Sequence, residues 1–182
     1  TDHPDIQLAF LPSIVDDHTR KTHLGHGYTL HTTLMRPKSR GSVTLQSADP
    51  HQPPAIDPGF YTHPDDMAVA IKGARMGFEI LEAKAMAAYR GKRLHAVDVN
   101  DDKAMEAFLR ATCDTEYHPV GTCKMGPDSD PMAVVDAQLR VKGVLGLRVV
   151  DASIMPTLTS GNTNAPSMVI GEKAADLIRS GV

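Results

Sequence analysis

Apolar and polar residues alternate most clearly in residues 28–35, where every second position is Tyr, Leu, Thr and Leu in turn. Because strand side chains point alternately to two faces, this period of two predicts a strand. Residues 6–11 and 42–46 are also typical of short strands. Residues 37–41 contain the proline, serine and glycine of a hairpin connection. We therefore expect the three strands to form one antiparallel sheet, with the second and third joined by a hairpin.

A helical repeat follows a proline-rich segment. Residues 48–64 contain five prolines and predict an irregular chain. Pro64 suits the first position of a helix, and the two aspartates after it place negative charge at the positive end of the helix dipole. Apolar residues then recur every three or four positions at Ile71, Ala74, Phe78, Leu81 and Ala85. The pattern predicts a helix over residues 64–89 that ends before Gly91 and covers one face of the sheet.

Two more helices are predicted in the second half of the chain. The first begins after Asp101, a good N-cap, and ends near Cys113. Its inward positions are Met105, Phe108, Leu109 and Thr112. The second follows Asn164 and ends near Gly181, with Ile170, Ala174, Leu177 and Ile178 on one side. Residues 134–136 and 147–151 are interpreted as short strands, and the whole pattern predicts an α+β fold in which an antiparallel sheet is packed by helices.

Composition and charge narrow the class of protein. The chain has 182 residues, of which 41% are apolar and 23% charged, as expected for a globular domain. A net charge of -3 without a basic cluster argues against nucleic-acid binding. No apolar run approaches the ~20 residues of a membrane span. Cys113, His118 and Cys123 do not have zinc-site spacing, so we expect no metal and two free thiols in a cytoplasmic protein.

Candidate chemistry lies on two tight turns. His118 is followed by proline and then Gly-Thr, which favours a loop over a helix face. Asn162 follows Gly161 just before the last helical pattern. Histidine is the usual general base, so these turns are candidates for an active site, although both residues also occur in ordinary loops.

The same segments resemble a known family. Residues 117–126, 150–156 and 160–166 lie within a region, about residues 36–178, that is similar to the C-terminal domain of glucose–methanol–choline (GMC) flavin oxidoreductases. The similarity is greatest to the branch of choline dehydrogenases and aliphatic alcohol dehydrogenases. It covers about three quarters of the chain, with the motifs in the family's order.

The resemblance implies FAD-dependent oxidation of a primary alcohol to an aldehyde, with choline as the favoured substrate. The hydroxyl proton would leave to a base and a hydride would pass to flavin N5. A medium-chain aliphatic alcohol dehydrogenase or an oxidase of the same family are the alternatives. A non-catalytic binding domain that reuses the fold is an alternative of another class.

The resemblance also implies roles for individual residues. His118 matches the catalytic histidine, and Asn162 matches a second catalytic position that orients the substrate oxygen. The positions expected to face the cofactor are Asp151, Ala152, Asn162, Thr163, Asn164 and Ala165.

We expect residues 1–182 to be a single fragment of a larger enzyme. The chain begins with Thr1, and it lacks a Gly-x-Gly-x-x-Gly loop, because Gly25 and Gly27 are followed by Leu30 at the third position. The N-terminal FAD-binding part would then be absent, so this chain alone should bind FAD weakly. The expected partners of the parent enzyme are a small alcohol and a quinone or carrier as electron acceptor. The expected location is cytoplasmic or peripheral to the inner membrane.

Overall fold

A computed structural model of the protein describes residues 2–181. The four strands and three α-helices of this range are β1 (Ile6–Leu11), β2 (Thr29–Leu34), β3 (Ser42–Thr44), β4 (Ala55–Asp57), α1 (Pro64–Glu82), α2 (Asp102–Thr112) and α3 (Asn164–Arg179). The described residues form two compact units. The first runs up to Arg40 and includes Pro58–Glu116, and the second comprises Gly41–Asp57 and the residues from Tyr117 onwards. Each unit combines helix with antiparallel strands, which confirms the predicted α+β class.

The first unit is an antiparallel strand pair covered by α1. Strands β1 and β2 pair with Ile6 opposite Leu34. Two helix glycines allow close approach, since a Cβ on Gly73 would lie 2.8 Å from Ile6 Cδ1 and one on Gly77 would lie 3.0 Å from Thr32 Cγ2. The core of this unit consists of Met67, Ala70, Ala74, Met105 and Leu109. The expectation that the first long helix covers one face of a sheet is therefore confirmed.

Helix α1 begins where predicted and ends seven residues early. Pro64 is its first residue, and His63 Nδ1 accepts a hydrogen bond from the Asp65 N–H at 3.2 Å. The helix ends at Glu82 because Ala83 is extended, with ψ 148°. The Arg90 guanidinium donates to the Glu82 carbonyl at 2.7 Å and so satisfies a terminal acceptor. The predicted end at Tyr89 is wrong.

The predicted hairpin between the second and third strands is also wrong. In residues 2–181 the strands form two separate pairs, β1 with β2 and β3 with β4. Strand β4 lies inside the proline-rich segment that was expected to be irregular, with Val43 opposite Ile56. The Lys38 and Ser39 N–H groups, which could have closed a hairpin turn, donate instead to the Asp66 carboxylate at 2.8 and 2.7 Å.

Helix α2 is close to the prediction. The Asp101 carboxylate accepts from the Lys103 N–H at 2.9 Å, which confirms the predicted N-cap. Met105 and Leu109 are buried as expected. Thr112 is exposed, and its hydroxyl donates to the Phe108 carbonyl at 2.8 Å, so its predicted inward position is wrong.

The second unit is built mainly from turns around a small core of Val135, Leu139, Ile154 and Ala174. The strands predicted at residues 134–136 and 147–151 are only isolated bridges, such as Val135 with Val141. Left-handed residues at Leu139, Gly143 and Gly146 (φ 66, 79 and 74°) interrupt any extended run there.

Helix α3 ends this unit. Asn164 is its first helical residue, and Thr163 holds the N-cap position without a side-chain capping bond. The helix therefore begins at Asn164 itself, one residue earlier than predicted. No helix within residues 2–181 combines the length and the apolar character needed to cross a bilayer.

Candidate active site

The His118 loop is held in place by its backbone. Tyr117 and Gly121 are left-handed, with φ 62 and 90°. A Cβ on Gly121 would lie 3.3 Å from the Met155 carbonyl oxygen, so a glycine suits this close approach. Further along, the Cys123 N–H donates to the Ser153 carbonyl at 3.0 Å and the Met125 N–H to the Ile154 carbonyl at 2.7 Å. The loop therefore lies against the segment that follows Asp151.

The His118 ring contacts two consecutive residues at the start of α3. Its Nε2 lies 2.7 Å from Asn162 Nδ2. Its Nδ1 lies 3.0 Å from Thr163 Oγ1 and 3.4 Å from the Thr163 backbone nitrogen. The two predicted catalytic residues, 44 positions apart, are thus in direct contact.

These contacts place the ring between buried and exposed groups. Thr163 is only 7% exposed, His118 is half-buried and Asn162 is exposed. An Asn162 amide N–H can donate to a lone pair on Nε2. The Nε2 lone pair of His118 and the amide donor of Asn162 therefore lie together at an accessible edge of the second unit. A hydroxyl group that took the place of their mutual contact could donate to Nε2 and accept from the amide.

Asp151 has a local structural role. Its carboxylate accepts from the Ser153 N–H at 2.7 Å and caps the 3-10 turn Ala152–Ile154. Asp151 is exposed and Ala152 is half-buried. The Asp151 carboxylate is already hydrogen-bonded to the Ser153 N–H. A cofactor bound here would therefore contact backbone groups in addition to this side chain.

The start of α3 has the chemistry of an anion site. Asn164 and Ala165 are exposed at the N-terminus of a 16-residue helix. The first N–H groups of a helix have no intrahelical acceptor, and the helix dipole is positive there. The hydroxyl of the buried Thr163 contacts the imidazole and its carbonyl accepts from Ser167, so only its backbone N–H is suited to the cofactor contact expected from the resemblance.

The ring contact of Thr163 is the feature that sequence reasoning missed. The resemblance assigned Thr163 to the cofactor, and the only signal for another role was its position next to Asn162. Among the residues that the structure describes, no three His, Cys, Asp or Glu side chains are grouped to hold a metal ion.

Comparison with known proteins identifies the family. Residues 37–171 match the family model for GMC oxidoreductases. The mouse mitochondrial choline dehydrogenase is 49% identical over 178 residues, which cover 97% of this chain and 30% of that protein. The alcohol dehydrogenase [acceptor] of Pseudomonas putida is 46% identical, with 97% of this chain and 32% of that protein covered. The chain belongs to the GMC oxidoreductase family.

Solved structures agree with this assignment. A formate oxidase from Aspergillus oryzae superposes with a TM-score of 0.87 and 29% identity, covering 98% of this chain and 32% of that one. A pyridoxine 4-oxidase from Mesorbium loti superposes with a TM-score of 0.85 and 33% identity, covering 95% and 34%. The chain thus spans about a third of the length of the relatives that it matches.

Proposed function

We propose that this chain is the C-terminal part of an FAD-dependent dehydrogenase that oxidises a primary alcohol to an aldehyde. The observation that carries the proposal is the 2.7 Å contact between His118 Nε2 and Asn162 Nδ2. Choline is the favoured substrate, because relatives that are 49% identical are choline dehydrogenases. A medium-chain aliphatic alcohol is the alternative, which the Pseudomonas putida relative supports by its name.

His118 is the general base of this proposal. A neutral imidazole can take a proton at neutral pH, and the Nε2 lone pair is on the accessible side of the ring. The alcohol O–H would donate its proton to Nε2 in the position where the amide of Asn162 now donates. The same amide N–H would then donate to the substrate oxygen as negative charge develops on it.

The residues present fit a flavin. FAD carries an acceptor-rich edge that becomes anionic on reduction. The backbone N–H groups of the exposed residues Asn164 and Ala165, at the positive end of α3, are donors suited to such an edge. The backbone N–H groups of Asp151, Ala152 and Thr163 complete the proposed contact set, because their carbonyls accept from residues of the chain itself. The chemistry that bound FAD supplies is acceptance of the hydride from the carbinol carbon.

The test is stopped-flow flavin reduction in the FAD-loaded full-length enzyme. Loss of a general base typically slows a reaction by ~10²–10⁴-fold, so His118→Ala should reduce the flavin-reduction rate by that factor. His51→Ala is the matched control, since His51 is exposed and lies in the proline-rich segment. A rate in His118→Ala equal to that of the control would remove His118 from the mechanism.

The substrate is tested with the same enzyme and a panel of alcohols. We expect the highest kcat/KM for choline, and a higher value for a medium-chain alcohol would select the alternative. The proposed electron acceptor is a quinone or a carrier. Oxygen uptake that accounts for all the alcohol consumed, with no gain on adding a soluble quinone, would show an oxidase instead.

A further inference from the structure

We infer that Thr163 is a positioning residue that sets the tautomer of His118, with its hydroxyl accepting the Nδ1 proton so that the Nε2 lone pair is available as the base. The inference rests on the proposed function, because it explains how a neutral imidazole is prepared for proton abstraction. It adds a role that the sequence motif alone does not supply.

The contacts on the ring distinguish the two tautomers. With the proton on Nδ1, the ring donates to Thr163 Oγ1 at 3.0 Å and Nε2 accepts from Asn162 Nδ2 at 2.7 Å. With the proton on Nε2, that N–H would face an amide nitrogen at 2.7 Å, where two donors would oppose each other. The backbone N–H of Thr163 favours this second tautomer, but its distance to Nδ1 is 3.4 Å. The two shorter contacts therefore select the Nδ1-protonated ring.

Thr163 is itself held firmly. It is 7% exposed, and its carbonyl accepts from the Ser167 N–H at 3.0 Å and from the Ser167 hydroxyl at 2.7 Å. The first turn of α3 therefore fixes the backbone that carries the acceptor. A rigid acceptor on Nδ1 is the arrangement that determines which ring nitrogen keeps the proton in other histidine sites.

The first experiment reads the tautomer directly. The FAD-loaded full-length enzyme, labelled with ¹⁵N-histidine, is studied by two-bond ¹H–¹⁵N correlation at neutral pH, and the His118 ring is assigned by its loss in His118→Ala. We expect a proton on Nδ1 in the unmodified enzyme and in Thr163→Ser, which keeps a hydroxyl. In Thr163→Val, which keeps the shape without the acceptor, the Nε2-protonated form should increase. A proton on Nε2 in the unmodified enzyme would overturn the inference, whether or not the valine variant folds.

The second experiment reads the consequence in the FAD-loaded full-length enzyme. Loss of one positioning hydrogen bond should lower the limiting flavin-reduction rate of Thr163→Val by about tenfold, with little change in the alcohol concentration that gives half-maximal rate. Thr163→Ser should restore most of the rate. Thr112→Val is the control for the same chemical change, because Thr112 is exposed on α2.

The two proposals can fail separately. If His118→Ala leaves the rate unchanged, the proposed base is wrong, and the tautomer measurement still stands by itself. If His118→Ala is slow while Thr163→Val has the normal tautomer and the normal rate, the base is correct and the role of Thr163 is wrong.

Discussion

Asp66 is a buried carboxylate whose charge is satisfied entirely by neighbouring donors. It is 4% exposed and accepts from the Lys38 N–H, the Ser39 N–H and the Ser39 hydroxyl at 2.8, 2.7 and 2.5 Å. Burial by itself raises the pKa of this carboxyl, but the hydrogen bonds from Lys38 and Ser39 favour the charged form more, so the net pKa is lowered. The charged form therefore stabilises the fold of the first unit.

The sign of the pH dependence follows from that direction. Because the pKa of Asp66 is lower in the folded chain than its ordinary value of 3.8, its contribution is complete above that value and is lost as the pH falls through the folded pKa. We expect Asp66→Asn to reduce the free energy of unfolding at pH 7 by about 2 kcal/mol and to flatten the loss of stability below about pH 4. Urea unfolding between pH 2 and 7 would measure both effects.

A matched surface variant controls this prediction. The side chain of Asp128 is fully exposed and pairs with Lys142, so Asp128→Asn should change stability little. Equal changes in the free energy of unfolding for the two variants at pH 7 would show that the hydrogen bonds to Asp66 add no stability beyond that of a surface ion pair.

Asn162 should affect the reaction and not the fold. It is exposed, and one of its contacts is with the catalytic candidate His118. We expect Asn162→Ala to slow flavin reduction in the full-length enzyme by ~10²–10³-fold, as loss of one preorganised donor does elsewhere. The free energy of unfolding should change by less than about 0.5 kcal/mol. Asn100→Ala, another exposed asparagine, is the control, and a rate equal to that of this control would exclude the proposed oxygen contact.

At the scale of the elements, the features set by neighbouring residues were predictable from the sequence, and the features set by contacts with other parts of the chain were not. The predicted start of α2 was correct because the Asp101 carboxylate binds the N–H of Lys103, which is only two residues further along the chain. The predicted end of α1 was wrong because the extended Ala83 stops the helix and Arg90, eight residues from Glu82, binds its last carbonyl. The predicted hairpin was wrong because the turn N–H groups bind Asp66, which is 27 residues from Ser39. Motif resemblance pointed to His118 and Asn162, whose side chains are in contact. The hydrogen bond between His118 and Thr163 was not predictable, because it joins two turns 45 positions apart.

Two helix glycines provide a paired test of packing. In α1, Gly73 faces Ile6, and a Cβ would meet three of its side-chain atoms at 2.8, 3.1 and 3.3 Å. Gly73→Ala should therefore lower the free energy of unfolding by about 1–3 kcal/mol through overpacking. In α3, a Cβ on Gly171 would meet nothing within 4 Å, so Gly171→Ala should raise stability by up to about 1 kcal/mol through helix propensity. Thermal unfolding measures both, and stabilisation by Gly73→Ala would contradict the close packing against β1.

At the scale of the whole molecule, the chain carries one part of the proposed flavin site. The start of α3 provides donors for the ring, whereas a Gly-x-Gly-x-x-Gly loop for the dinucleotide phosphates is not found in the sequence. We expect the 182-residue chain to bind FAD at least ~10³-fold more weakly than the full-length enzyme, which corresponds to the loss of about 4 kcal/mol of phosphate contacts. Quenching of flavin fluorescence on titration would measure the difference. Flavin that copurifies with the 182-residue chain in stoichiometric amounts would contradict this expectation.

The attachment of the His118 loop to residues 153 and 154 uses main-chain atoms alone. Exchanges of side chains at Cys123, Met125 and Ser153 therefore leave these bonds available, as long as the new residue is not proline. Substitutions at these positions can therefore accumulate while the backbone bonds that hold the His118 loop are kept. A library that randomises Cys123 and Ser153, while retaining Gly121 and the core-packed Met125, would measure this tolerance as the fraction of variants that keep the thermal stability of the unmodified chain.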